Sequence, residues 1–260
     1  MEKVFNMSKS IERKQLVDFL DRTLQPKFFK DYCPNGLQVA GSETISRIVT
    51  GVTASEALID RAIVFKADTL LVHHGYFWKG EDPCLVGIKG NRIKKLLQNN
   101  MNLLAYHLPL DAHPEYGNNV QLARDIGLQV TGGMQPIDNP IGIVGYFNQK
   151  MSLQALSDLL EKKLARKPLC VGELEKPIKT MALCTGAAQS MISDAASLGV
   201  DCYLTGEIAE QTVHIARETG IAFIAAGHHA TERYGVKALA NLIKATWPLE
   251  VAFIDDNNPV

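Results

Sequence analysis

The chain has 260 residues, of which 46% are hydrophobic and 21% are charged. This length and balance are typical of one large or two medium globular domains, and they exclude a disordered, fibrous or disulfide-scaffold chain. The 27 Lys and Arg residues are matched by 28 Asp and Glu residues, which leaves a formal net charge of −1. A protein that binds nucleic acid mainly through its phosphates carries a clear basic excess, so the charge argues against a nucleic-acid partner.

The sequence also bears on where the protein resides. No apolar run reaches the ~20 residues that a membrane span needs, and the start MEKVFNMSKSIERKQ is more polar than the core of a signal peptide. The absence of any CxxC spacing is typical of reduced thiols that fill a core. We therefore expect a cytoplasmic protein with no membrane partner. The cysteines concerned are Cys33, Cys84, Cys170, Cys184 and Cys202.

Strands and helices are predicted to alternate along the chain. Ser10 is the expected N-cap of a first helix, in which apolar residues recur at helical spacing from Leu16 to Leu24 and which Pro26 ends. The predicted strands are the runs ISRIVTGV, TLLVHH, MNLLAYH, IGIVGYF, TMALC, DCYLT, IAFIAA and PLEVAFI. The predicted helices are SEALIDRAIVFKA, NRIKKLLQNN, NNVQLARDIG, SLQALSDLLEKKL, QSMISDAASLG and AEQTVHIARETG.

Several strands carry consecutive apolar residues, which suits sheets that helices cover on both faces. The run TGGMQPIDNP at 131–140 contains two Gly and two Pro residues and predicts a domain boundary. An N-terminal α/β domain over residues 1–131 would then precede a C-terminal α/β domain over residues 132–260. Each half contains a strand that leads into two histidines, LLVHHG or FIAAGHH, so we expect two layered α/β domains of similar architecture.

Six of the seven histidines fall in the segments VHHGYFWKGE, YHLPLDAHPEYGNN and GHHATERYG. Each segment follows an apolar strand, and the carboxyl ends of strands are where α/β sheets carry ligand sites. Asp111 lies four residues after His107, and Glu232 lies four residues after His228. In a tight turn or a first helical turn, this spacing brings carboxylate and imidazole together. Three histidines and two carboxylates suit two metal ions that share a carboxylate better than one tetrahedral zinc.

These segments, together with NGLQVAG at 35–41 and CTGAAQ at 184–189, resemble the GTP cyclohydrolase 1 type 2 homologue family, also called NIF3-like. The resemblance covers nearly the whole chain in order. It implies a two-domain α/β subunit with two divalent metal ions per subunit in the cleft between the domains, assembled into a toroidal homohexamer. Glu232 is the implied bridging carboxylate, and the implied metal ligands are His73, His74, Asp111, His228 and Glu232.

The resemblance further implies a metal-dependent hydrolase that uses activated water on a small-molecule substrate such as a purine nucleotide. His107 is the expected catalytic residue or a further ligand, and His113 and His229 are other candidates for a proton relay. The CTGAAQ segment could present backbone N–H groups to a phosphate or form a simple strand-to-helix turn. Mixed His and carboxylate ligation does not distinguish Zn, Mn, Fe, Co and Ni.

Two alternatives to a hydrolase stay open at this point. A non-catalytic metal-binding ring or regulatory interaction protein would need the ligands but no open coordination position. A ring that threads DNA would need basic residues along its central hole. Basic residues do cluster at two places, where they form either solvated helix faces or a rim that attracts phosphate. These residues are Lys89, Arg92, Lys94, Lys95, Lys162, Lys163, Arg166 and Lys167.

Overall fold

The computed structural model describes residues 9–260, so the first eight residues of the polar N-terminal stretch lie outside the described part. The chain divides into two compact units. Unit 1 comprises the described residues up to Leu110 together with Val236–Asp256. Unit 2 comprises Asp111–Gly235 together with Asn257–Val260. The chain therefore passes between the units more than once.

Strands and helices alternate through most of the chain, as the apolar runs predict. The strands are β1 (Ile11–Glu12), β2 (Gly36–Val39), β3 (Thr44–Ile45), β4 (Arg47–Thr53), β5 (Thr69–His74), β6 (Asn102–Ala105), β7 (Gln129–Gly133), β8 (Ile143–Ser152), β9 (Leu169–Val171), β10 (Pro177–Leu183), β11 (Cys202–Thr205), β12 (Ala222–Ala225) and β13 (Glu250–Phe253). The helices are α1 (Arg13–Leu24), α2 (Glu56–Val64), α3 (Gly87–Gln98), α4 (Leu108–Ala112), α5 (Asn118–Asp125), α6 (Leu153–Leu164), α7 (Ile192–Ser197), α8 (Glu210–Thr219), α9 (His228–Thr231) and α10 (Arg233–Thr246). Short 3-10 turns span Pro26–Phe28 and Gln189–Met191.

Unit 1 is built on a five-stranded sheet in the order β13-β4-β5-β6-β2. The first four strands are parallel, and β2 runs antiparallel to β6. Leu70 and Val72 of β5 and Leu103 of β6 are fully buried in the core of this unit. The inner strands read as continuous apolar runs because both of their faces are covered. β1 and β3 form a separate antiparallel pair.

Unit 2 is built on a six-stranded sheet in the order β7-β8-β10-β11-β12-β9. The strands β10, β11 and β12 are parallel, whereas β7, β8 and β9 run antiparallel to their neighbours. Leu183, Leu204 and Ile224, one from each parallel strand, are fully buried in one core. The two units are thus both mixed α/β layers with a parallel centre.

The two units share a local arrangement where their parallel strands begin. Asp68 stands directly before β5, and its carboxylate accepts a hydrogen bond from the backbone N–H of Arg47 in β4 at 2.9 Å. Asp201 stands directly before β11, and its carboxylate accepts a hydrogen bond from the N–H of Thr180 in β10 at 2.8 Å. Strand β5 therefore corresponds to β11, and β6 corresponds to β12. The histidine pairs that suggested a duplication lie on strands that do not correspond.

The predicted elements are largely confirmed, with differences at the edges. All eight predicted strands form, at β4, β5, β6, β8, β10, β11, β12 and β13. The predicted cap at Ser10 is wrong, because Ile11 and Glu12 extend as β1 and Glu12 is the N-cap of α1. The side chain of Gln15 accepts a hydrogen bond from the backbone N–H of Glu12, which completes the cap.

The predicted domain division at 131/132 does not match the units of the structure. Residues 129–133 form β7, which pairs with β8 across the Gly- and Pro-rich run, so this run is a hairpin turn and not a linker. In addition, β13 lies near the end of the chain yet pairs with β4 of unit 1. The correction has a simple physical reason, since Gly and Pro mark tight turns within a sheet as readily as boundaries between domains.

Several charges of the basic clusters are paired with acids on neighbouring helices. Lys95 Nζ lies 2.6 Å from Asp60 and 2.8 Å from Glu56, and Lys163 Nζ lies 2.7 Å from Asp125. These pairs favour the interpretation as solvated helix faces. Within residues 9–260, no helix is long and apolar enough to cross a membrane.

Candidate metal centre

Unit 1 brings three histidines together, which we call the histidine cluster. His73 and His74 end β5, and His107 follows the end of the neighbouring parallel strand β6 by two residues. One ring nitrogen from each of the three lies within 4.8 Å of the others. The predicted gathering of histidines at strand ends is therefore confirmed within this unit, and His107 belongs to it as closely as the other two.

Two histidines of the cluster are oriented through Nδ1. His73 is fully buried, and its Nδ1 lies 2.9 Å from the carbonyl oxygen of Tyr106. Because a carbonyl oxygen can only accept, this Nδ1 carries the proton. The Nδ1 of His74 lies 3.1 Å from the hydroxyl of Thr53. Nε2 of His73 is then the nitrogen that can bind a metal. The Thr53 hydroxyl can donate or accept, so it holds the His74 ring without fixing which ring nitrogen carries the proton.

His107 is oriented by a carboxylate that sequence reasoning missed. The Nδ1 of His107 lies 2.7 Å from Asp31, whose other oxygen accepts hydrogen bonds from the side chain of Asn35 and the N–H of Leu108. Burial raises the pKa of Asp31, but the hydrogen bonds from His107 and Asn35 outweigh it and lower the pKa from 3.8 to about 2. Asp31 is therefore ionised, and Nδ1 of His107 donates to it.

Cys33 lies beside this pair, with its sulfur within 4.8 Å of a donor atom of Asp31 and of His107. Burial, and then the charge of Asp31, raise the pKa of the Cys33 thiol to about 12. Without a metal the thiol is therefore protonated at neutral pH. Cys33 is buried beside the histidine cluster, with 8% of its surface exposed.

Unit 2 brings together Asp111, His228 and Glu232, which we call the carboxylate cluster. Asp111 lies in α4, His228 begins α9, and Glu232 stands between α9 and α10. His228 Nε2 lies 3.1 Å from Glu232 Oε2, as the four-residue spacing predicts. A carboxylate oxygen of Asp111 lies within 4.8 Å of one of Glu232. Both acids are almost fully buried, with 5% and 3% of their surface exposed.

Carboxylates flank His228 on both sides of its ring. Its Nδ1 lies 2.7 Å from Glu207 Oε1, while its Nε2 faces Glu232. Burial lowers the pKa of His228, but the hydrogen bonds and charges of Glu232 and Glu207 outweigh burial and raise the pKa from 6.5 to about 9. Without a metal the imidazole is therefore protonated. A metal at Nε2 would replace that proton and leave Glu207 to hold Nδ1–H.

Two asparagines hold Asp111 in place. The side-chain amide of Asn118 donates to Asp111 Oδ1 at 2.9 Å, and its oxygen accepts from the N–H of Gly235 at 2.6 Å. Asn119 donates to the backbone oxygen of Asp111 and accepts from the N–H of Thr185 at 2.8 Å. Both asparagines are almost completely buried. This network ties the Asp111 carboxylate to the start of α10 and the Asp111 backbone to the loop at Thr185.

The CTGAAQ segment passes directly beside the carboxylate cluster. Gly186 has φ +72°, and a Cβ placed there would collide with Glu232 Oε1 and lie 3.3 Å from His228 Nε2. The N–H groups of Gly186 and Ala188 donate to the hydroxyls of Thr231 and Thr205. The segment is therefore a turn with internally paired amides, and the interpretation as a phosphate cradle loses its support.

The other histidines have local contacts. His113 accepts hydrogen bonds at Nδ1 from the N–H groups of Glu115 and Tyr116, and it stacks on the Tyr116 ring. The N–H of His229 donates to the oxygen of Val260. The contacts of His113 are those of a residue that stabilises a local turn. Among the candidates for the proton relay, His107 is the one that lies in a cluster with predicted metal ligands.

The donor types in these clusters fit divalent transition metals. Imidazole nitrogen and carboxylate oxygen are ligands of Zn, Mn, Fe, Co and Ni. In four histidines, Nδ1 lies next to a fixed oxygen partner; these are His73, His74, His107 and His228. Gly186 leaves a space beside the Glu232 carboxylate that a larger side chain would fill. The fold and these clusters define a class, an α/β protein with candidate metal-binding groups in each of two units.

The chain belongs to the Duf34/NIF3 (NGG1p interacting factor 3) family, whose sequence profile matches residues 11–259. A Pseudomonas aeruginosa relative described as a GTP cyclohydrolase 1 type 2 homolog is 54% identical over 252 residues, which cover 96% of this chain and 99% of the relative. The Escherichia coli K12 relative with the same description is 48% identical over 250 residues, covering 96% and 100%. The family resemblance predicted from the motifs is confirmed.

Solved structures show the same fold. The structure of protein ybgI, described as being of unknown function, has a TM-score of 0.92 and 47% identity and covers 96% of this chain and 100% of that one. The protein TTHA1606 from Thermus thermophilus has a TM-score of 0.87 and 35% identity, with the same coverage. The predicted α/β fold class is therefore confirmed.

Proposed function

We propose that His73, His74, Asp111, His228 and Glu232 bind two divalent metal ions per subunit, and that the protein is a metal-dependent hydrolase. The observation that carries this proposal is the orientation of the histidines. Nδ1 of each proposed histidine ligand has a fixed oxygen partner, on Tyr106, Thr53 or Glu207. Such partners are typical of metal-ligating imidazoles, because they fix the ring plane and, where the partner is a carbonyl or a carboxylate, also the tautomer.

The path of the chain supports a centre that draws ligands from both units. The chain passes from unit 1 to unit 2 between Leu110 and Asp111, and it returns between Gly235 and Val236. Asp111 is thus the first residue after the first of three crossings, and Glu232 lies three residues before Gly235, where the second crossing begins. His107 precedes Asp111 by about one helical turn. We therefore infer that the histidine cluster and the carboxylate cluster supply ligands to one metal centre.

Two divalent ions at such a centre would supply Lewis acidity and lower the pKa of a bound water towards ~7. The chain itself supplies His107, whose Nδ1–H is held by ionised Asp31. Nε2 of His107 is then the atom placed to accept a proton from the attacking water and to return it to a leaving group. We assign His107 the catalytic role and Asp31 the role of a positioning residue.

The substrate class comes from the relatives. Proteins 54% and 48% identical to this chain are described as GTP cyclohydrolase 1 type 2 homologs. We propose that the substrate is a purine nucleotide or a related heterocycle, opened or cleaved by addition of water. The toroidal homohexamer belongs to the same proposal. Leu85, Val86 and Ile88 form an exposed apolar stretch that a subunit interface would cover.

A metal-depletion experiment tests the proposed function. Protein purified without an affinity tag is analysed for metal content, stripped with a chelator and reloaded separately with Zn, Mn, Fe, Co or Ni. We expect hydrolysis of GTP, other purine nucleotides or simple phosphoesters to vanish on stripping and to return with one of these ions. Protein that holds two ions and turns over none of these compounds would contradict the hydrolase and favour the non-catalytic metal-binding ring.

The Asp31→Asn variant tests the positioning role. An asparagine amide can donate to Nδ1 of His107 and thereby move the ring proton to Nε2, where it blocks proton acceptance. We expect kcat to fall by about 100-fold, with metal content and KM little changed. Asp18→Asn, on the exposed face of α1 beside Lys14, is the control and should behave like the wild type. An unchanged kcat in Asp31→Asn would contradict the assignment, and so would a loss of metal.

A further inference from the structure

We propose that Trp78 is the stacking surface for the planar heteroaromatic ring of the substrate, beside the histidine cluster. The proposal rests on the proposed function and deepens it by naming the side chain that binds the base. The ring centroid of Trp78 lies 5.0 Å from that of His107 and 5.9 Å from that of His74. Trp78 is only partly buried, so its indole retains surface that a ligand can cover.

The backbone of the residue before Trp78 adopts a conformation that is rare for bulky residues. Phe77, the residue before it, has φ 65°, in the left-handed region where a side chain meets steric strain. Strain of this kind persists only where surrounding contacts fix it, and it is concentrated at ligand-binding and catalytic sites. The turn at Phe77 changes the direction of the chain directly after Tyr76 and places the next side chain beside the histidines.

Contacts on the preceding residues hold this turn. Gln38 accepts from the N–H of Tyr76 at 2.7 Å and donates to its carbonyl oxygen at 3.1 Å. The hydroxyl of Tyr76 donates to the oxygen of Ala54 at 2.7 Å in the core. Gly75 has no space for a Cβ, which would collide with Gln38. The segment is therefore fixed before it reaches Trp78.

Contacts after the turn complete the support. The N–H of Trp78 donates to the Glu81 carboxylate at 3.1 Å, and the N–H of Lys79 donates to the oxygen of Tyr32 at 2.6 Å. Tyr76 and Phe77 pack on the core of unit 1, whereas Trp78 is partly buried beside His74 and His107. A large, partly exposed aromatic ring held beside predicted metal ligands is an arrangement that can stack a flat ligand ring.

The chain offers an internal probe for this contact. Its two tryptophans are Trp78 and Trp247, and Trp247 packs against Phe19 with ring centroids 4.8 Å apart. In the Trp247→Phe protein, tryptophan fluorescence therefore comes from Trp78 alone. We expect GTP to quench it saturably, because the guanine covers the indole. Ribose 5-phosphate and inorganic triphosphate, which lack the base, should leave it unchanged.

Substitutions at Trp78 then measure the energetic contribution of stacking. We expect Trp78→Leu to weaken GTP binding, measured by calorimetry, by about tenfold or more. Trp78→Phe should retain most of the affinity, and Trp247→Phe should retain all of it. Circular dichroism and metal content of Trp78→Leu should match the wild type, which separates a stacking role from a folding role.

The outcomes separate this proposal from the proposed function. Wild-type affinity for GTP in Trp78→Leu would overturn the stacking role, as would equal quenching by ribose 5-phosphate or no saturable quenching by GTP. If the wild type holds two metals and turns over a substrate while Trp78→Leu keeps its kcat/KM, the hydrolase proposal is supported and the stacking proposal is contradicted. If GTP binding depends on Trp78 in a protein without turnover, the stacking proposal is supported and the hydrolase proposal is contradicted.

Discussion

Replacing Glu232 by Gln is expected to remove at least one of the two metal ions and to lower kcat by about 100-fold or more. The substitution keeps the volume of the side chain but removes the charge that a shared metal ligand supplies. Glu232 is 3% exposed, and one of its oxygens lies within 4.8 Å of a carboxylate oxygen of Asp111. Two buried carboxylates this close repel one another unless a cation or proton lies between them.

The metal-free stability of Glu232→Gln distinguishes loss of a ligand from loss of the fold. The substitution relieves repulsion with Asp111 but also removes the ion pair with protonated His228, so we expect the metal-free variant to stay folded and to unfold at a denaturant concentration close to that of the metal-free wild type. Glu161→Gln, at an exposed position on α6, is the matched control and should retain both ions. Elemental analysis with chemical unfolding measures both quantities. Two ions per subunit in Glu232→Gln would count against the bridging role.

Replacing Gly186 by Ala should abolish metal binding through sterics alone. The added Cβ would collide with Glu232 Oε1 and approach His228 Nε2, two proposed ligand atoms. We expect less than one ion per subunit and no turnover. The left-handed φ of +72° adds a stability cost of about 1 kcal/mol.

Gly220→Ala separates the two effects of that substitution. Gly220 has the same φ of +72°, but a Cβ there would meet nothing within 4 Å. This control should therefore show the stability cost while it retains both ions and full turnover. Equal metal content in the two variants, measured by elemental analysis, would show that Gly186 is required only for its backbone conformation.

The strand predictions succeeded for every inner strand of the two large sheets, and among the edge strands they succeeded only for β13. The inner strands β5 and β6 are buried on both faces, so their runs are apolar throughout. The strands that went unrecognised include β2, β7 and β9, which lie at sheet edges. Strand β2 mixes exposed with buried residues, and β7 and β9 contain only exposed or partly buried ones. An edge strand is stabilised by backbone hydrogen bonds to one neighbouring strand. Because backbone pairing does not require apolar side chains, such a strand can lack the regular apolar pattern that reveals inner strands.

The candidate ligands were accessible from sequence because they lie in short segments after strands. The groups that orient them were not, since they come from distant parts of the chain. Asp31 lies 76 residues from His107, and Glu207 lies 21 residues from His228. The sequence does contain a signal for Glu207, because this acid closely follows the end of the predicted strand β11 and so lies where ligand sites form. The sequence contains no such signal for Asp31, since its contact with His107 depends on how β2 and β6 pair.

Diffraction from crystals grown with a divalent transition metal, recorded at the absorption edge of that metal, shows whether a dinuclear centre forms at these residues. We expect two anomalous peaks per subunit, with Glu232 bound to both and with His73, His74, Asp111 and His228 completing the ligands. Each donor atom should lie ~2.0–2.2 Å from its ion. A single peak, or no peak at these side chains, would contradict the proposed dinuclear centre.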